Sequence, residues 1–65
     1  MITVNNNPHP FTPGMTIKSL LAEKNYVFPM IIVKLNGKIV EDADFEVTAV
    51  NDGDVVMAIH VFAGG

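Results

Sequence analysis

The residues with the clearest capacity for chemistry are the last three, Ala63-Gly64-Gly65. Two adjacent glycines carry no reactive side chain. What they offer is access: backbone without Cβ atoms can enter a narrow channel and approach another molecule closely. Three extended residues reach about 10 Å beyond a folded body. The group they would deliver is the α-carboxyl, whose ordinary pKa of about 3.3–3.7 keeps it ionised at neutral pH. A carboxylate is a poor electrophile, so it needs a better leaving group before a nucleophile can attack. Adenylation by ATP would supply one. The chain has no glycine-rich phosphate loop of the Walker type, so activation would come from a partner. On composition alone, a frayed terminus that happens to contain glycine accounts for the pair as well.

The last apolar stretch is the second candidate. From Val55 to Phe62 only His60 is polar. Val55, Met57, Ile59 and Val61 alternate onto one face, and Val56, Ala58 and Phe62 onto the other. A two-layer domain packs one sheet face on a helix and leaves the other wet, so an apolar open face is a candidate docking surface. A strand buried on both faces reads the same way. His9 and His60 are far apart and sit in no ligand motif, so they read as surface or contact histidines and no metal site is expected. Glu41, Asp42, Asp44 and Glu46 lack the spacing of a calcium loop and read as a solvated charge run. Asp52 and Asp54 flank Gly53 and set a turn. No Ser/His/Asp or paired-carboxylate site is present in the pattern.

A very small body must position these features. The chain has 65 residues, 49% hydrophobic, with no cysteine. That is one domain, residues 1–62, followed by a tail at 63–65. A domain of this size buries only about 60% of the surface its unfolded chain exposes, and neither disulfides nor thiolate metal sites can support it. It can hardly also enclose a pocket of the several hundred Å³ usual for small-molecule sites. A carrier or binding module is expected, without a bound cofactor. The net charge of −3, with four lysines and no arginine, argues against nucleic acid and anionic membrane as partners. No apolar run approaches the roughly 20 residues a membrane span requires. No signal peptide is visible, so a cytoplasmic location is expected.

The periodicity predicts five strands and one helix. Met1–Asn5 alternates, with Ile2 and Val4 on one face. Asn6-Asn7-Pro8 reads as a turn, and His9–Thr12 as a short edge strand among prolines. Thr16 can cap a helix of about 10 residues whose apolar stripe is Ile17, Leu20 and Leu21, with Asn25 as its stop. Met30–Leu35 and Lys38–Val40 flank Asn36-Gly37, a strong type I′ hairpin signal. Glu41–Thr48 is irregular, with room for one helical turn around Phe45. Asn51-Asp52-Gly53 turns the chain into Val55–Phe62. Two hairpins flanking a helix, then a final strand, permit an α+β roll. Its mixed sheet of four to five strands would carry the helix across one face, with the first and last strands paired at the centre. That is the β-grasp, or ubiquitin-like, arrangement.

Four segments carry a resemblance. Gly14-Met15-Thr16-Ile17 leads into Leu20-Leu21; Leu35-Asn36-Gly37-Lys38-Ile39-Val40 forms the second hairpin; Asp52-Gly53-Asp54 precedes the last strand; Ala63-Gly64-Gly65 ends the chain. In these the sequence resembles the ThiS/MoaD sulfur-carrier family, most of all its thiamin-pathway branch. The resemblance implies that an E1-like, ThiF-like enzyme spends ATP to adenylate the carboxylate of Gly65. A persulfide fed by a cysteine desulfurase then converts it to a thiocarboxylate. A ThiG-like thiazole synthase takes the sulfur. Gly64 and Ala63 would give access to the partners' sites. Alignment on the terminal glycines puts Met57 and Ile59 on the outer face; these two, with Val61 and Phe62 leading into the tail, are the expected partner-binding residues. Delivery to molybdopterin or amino-acid synthesis, or conjugation as a protein modifier, are the alternatives. Two departures stand out: Glu41-Asp42 replaces a frequent proline-arginine pair, and Asn5-Asn6-Asn7-Pro8 replaces a tighter Asn-Gly turn.

Overall fold

The structure is a computed structural model that describes residues 1–26 and 30–60. Strand β1 (Ile2–Val4) turns back into β2 (Asn7–His9), and helix α1 (Ile17–Glu23) follows. A second hairpin joins β3 (Ile31–Leu35) to β4 (Lys38–Val40). A 3₁₀ turn at Asp42–Asp44 precedes β5 (Val55–His60). The sheet order is β2-β1-β5-β3-β4, with β1 and β5 parallel and the other pairs antiparallel. The mixed sheet with the first and last strands at its centre is the roll expected from the element order. Residues 61 and 62 of the expected last strand lie outside the described residues, as does the boundary between domain and tail.

The first hairpin corrects the sequence reading. Its second strand is Asn7–His9, not His9–Thr12, because the turn falls at Asn5-Asn6. Both asparagines have positive φ, 50° and 68°, as a two-residue type I′ turn requires. Val4 opposes Asn7 next to the turn, and Thr3 opposes Pro8. Antiparallel pairs alternate between hydrogen-bonded and non-hydrogen-bonded. The pair flanking a two-residue turn is hydrogen-bonded, so Pro8 occupies a position where its missing N–H costs the ladder nothing. The asparagine run is thus as tight as the Asn-Gly turn it replaces. The second hairpin turns at Asn36-Gly37, with φ of 51° and 85°, as expected.

Helix α1 is short and depends on its ends. Thr16 and Ser19 form a reciprocal capping box, each side chain bonded to the other's backbone N–H. The two N–H groups still open in the first turn, those of Ile17 and Lys18, donate to the carbonyls of Thr48 and Phe45 at 3.0 and 2.9 Å. At the other end Tyr26 N–H reaches Leu21 C=O, and Asn25 N–H reaches Ala22 C=O, with Asn25 at φ 60°. This is a Schellman motif with asparagine in the left-handed position. Ile17, Leu20 and Leu21 bury the helix against Ile2, Val4, Val33 and Val56 of the sheet, with Met15 and Val50 closing the core. Truncating one of the buried Ile, Leu or Met side chains to alanine costs about 2–5 kcal/mol, on the scale of the whole stability of so small a domain.

Candidate functional site

Strand β5 is the element that leads to the tail, and the structure fixes it from both sides. Its start is set by Asp54. One carboxylate oxygen accepts from the Asn51 N–H at 2.8 Å, and the other accepts from the Asn36 side-chain amide at 3.0 Å. Asn36 in turn accepts the Val55 N–H at 2.9 Å and donates its own N–H to Val55 C=O. The second hairpin turn and the turn before β5 are thereby locked together. The N-terminal ammonium of Met1 pairs with Asp52 in the same region.

Further along, β1 pairs with β5 only as far as Val56 and then turns away. Asn5 takes over. Its side-chain amide accepts the Ala58 N–H at 2.7 Å and donates to Ala58 C=O at 3.2 Å. One side chain thus stands in for a further residue of strand pairing. On the opposite edge, β3 pairs with β5 from Val56 to His60.

The alternation resolves the two faces of β5. Val56 is fully buried and Ala58 packs against the core. Val55, Met57 and Ile59 face outward, away from the helix. Ile59 is 44% exposed and Val55 42% exposed, while Met57 is half-buried. The reading that this strand is covered on both faces does not hold for the described residues. Ile59 lies opposite Ile32, and Met57 opposite Lys34. Ile39 of β4 lies opposite Lys34 on the other side. Ile32 is 40% and Ile39 63% exposed. The open face is therefore an apolar patch shared by three strands and interrupted by one lysine.

Met57 and Ile59 are brought together on this patch. Val61, Phe62, Ala63, Gly64 and Gly65 lie outside the described residues. The sequence reading missed Ile32, Ile39 and Lys34. The signal was present: Ile31, Val33 and Leu35 take one face of β3, so Ile32 and Lys34 take the other, and the Asn-Gly turn then fixes Ile39 across from Lys34.

The remaining candidates are structural or solvated. His9 is buried at the sheet edge, on the inner face opposite Ile2. Glu23 Oε1 lies 3.2 Å from its Nε2, but off the line of the ring N–H, so no hydrogen bond forms. Among the described residues no three His, Asp or Glu side chains converge as a metal site would require. Glu41, Asp42, Asp44 and Glu46 are exposed, and Glu46 approaches Lys18 at 3.7 Å. No helix is long and apolar enough to cross a membrane among the described residues. Among the described residues, what remains as a site is a central strand held by side-chain hydrogen bonds and its apolar outer face.

The comparisons agree with this geometry. The model of the ThiS family matches residues 2–65. The crystal structure of the thiamine biosynthesis protein ThiS from Geobacter metallireducens superposes with a TM-score of 0.83 at 30% identity, covering 98% of this chain and 97% of that one. No curated protein matches the chain. With the β-grasp sheet, the single helix and a match running from the second residue to the last, the chain belongs to the ThiS family.

Proposed function

We propose that this protein is a sulfur carrier of thiamin biosynthesis and acts through the carboxylate of Gly65. The observation that carries the reading is the family match through residue 65, which includes Ala63-Gly64-Gly65. The anchored strand β5 and the likeness to a thiamine biosynthesis protein support it. An E1-like enzyme binds the open sheet face and directs the Gly65 carboxylate onto the α-phosphorus of ATP, releasing pyrophosphate. A persulfide sulfur then displaces AMP from the acyl carbon. A thiol cleaves the resulting S–S bond and leaves a thiocarboxylate, whose sulfur passes to a thiazole synthase. The chain itself supplies no acid, base or nucleophile. It presents one carbonyl carbon on a side-chain-free tether that fits a narrow channel. Met57 and Ile59, with Val61 and Phe62, contribute apolar contact to the partners.

The test is removal of Gly65 alone. The shortened chain should fold with unchanged circular dichroism and fail to support growth of a carrier-deficient strain without thiamin. Growth supported by the shortened chain refutes the reading. Capture of a molybdopterin synthase subunit in place of thiazole synthase would refute the thiamin assignment and keep the sulfur chemistry.

A further inference from the structure

Among the described residues, Lys34 is the only charged side chain that the five strands place on the open sheet face. The others on that face are Thr3, Pro8, Ile32, Ile39, Val55, Met57 and Ile59, by the register of the pairs. Met57 and Ile39 lie directly opposite Lys34 on its two neighbouring strands. Ile32 is two residues away on its own strand, and Val55 and Ile59 occupy the diagonal positions on β5, still within side-chain reach. The lysine thus stands at the centre of an apolar ring. It is half-buried and makes no ion pair with any described residue.

That position is costly for any partner that covers the face with apolar surface alone. The stem of a lysine can lie along the ring, but its ammonium needs water or an opposite charge. At the centre of an interface water is excluded, and an unpaired buried charge is strongly disfavoured. Resting on the function proposed above, we infer that Lys34 is a partner-selecting residue: the E1-like activating enzyme covers this face and sets a carboxylate against the Lys34 ammonium. The activating enzyme is the occupant because β5 carries the face directly into the tail that this enzyme must reach first. A charge pair of this kind chooses among partners and speeds encounter, and leaves the chemistry of the tail untouched.

The experiment uses the full chain and the E1-like enzyme of the same organism in an ATP–pyrophosphate exchange assay. Lys34→Glu should raise the KM for the carrier about tenfold or more, since a like-charge contact replaces a pair, with kcat unchanged. Lys34→Met keeps the stem and removes the charge. It should raise KM less and flatten the dependence of KM on salt. Lys38→Glu makes the same charge change at an exposed residue on the opposite side of β4, and should leave KM near the wild-type value. A KM for Lys34→Glu within about twofold of wild type overturns the inference, and so does an equal effect of Lys38→Glu. Absence of exchange with the wild-type chain would instead refute the proposed function. Matching urea midpoints confirm that each variant is folded.

Discussion

At the scale of single residues, the feature that most shapes the site is Asn5. Its sequence context reads as the polar end of an alternating strand. In the fold it begins a turn at positive φ and holds both backbone groups of Ala58 with one side chain. Two variants separate these roles. Asn5→Ala loses both hydrogen bonds and sets alanine, which tolerates the left-handed region less well than asparagine, at φ 50°, so it should cost about 2–4 kcal/mol. Asn5→Gly loses the hydrogen bonds but accepts the backbone, so it should cost about 1–3 kcal/mol. Urea unfolding midpoints give both values, and unchanged midpoints would mean the amide contributes nothing. A contact spanning 53 positions leaves no mark in local periodicity, which is why the sequence did not reveal it. The alternation of β3 gives the face of Lys34 but not its position at the centre of that face. Its place is meaningful only once β3, β4 and β5 are in register.

At the scale of elements, local chemistry was the better guide. Thr16 as helix cap, the stripe Ile17, Leu20 and Leu21, Asn25 as stop, and Asn36-Gly37 as a type I′ turn all follow from residue type and spacing, and all appear in the fold. The first hairpin was displaced because three consecutive asparagines and a proline offer several turn registers. Tertiary pairing of Val4 with Asn7 selects one. The acidic segment after β4 was read as solvated and irregular. Its acidic side chains are exposed, yet the backbone carbonyls of Phe45 and Thr48 complete the helix N-terminus, a task no side-chain pattern announces. The Schellman motif at the other end makes a direct prediction. Asn25→Gly should stabilise by up to about 1 kcal/mol, and Asn25→Ala should destabilise by about 1 kcal/mol. Thermal unfolding of the two variants checks the sign, and stabilisation by alanine would contradict the motif.

At the scale of the whole molecule, nine buried apolar residues among those described hold a five-stranded sheet with a hydrogen-bonded central strand and an open apolar face. The centre is the strand that leads to Ala63-Gly64-Gly65. On the proposed reading, a body this small leaves its chemistry to partners and contributes an anchored last strand and an open face beside it. The family match supports a sulfur carrier of thiamin biosynthesis, and the proposal places the sulfur on Gly65. The most direct measurement is the intact mass of the C-terminal peptide from protein isolated from its own cells. The account predicts a population in which one oxygen of the Gly65 carboxylate is replaced by sulfur, and which is lost when the activating enzyme is deleted. A terminus that is always an unmodified carboxylate in cells making thiamin, or one found only in amide linkage to lysines of other proteins, would contradict it.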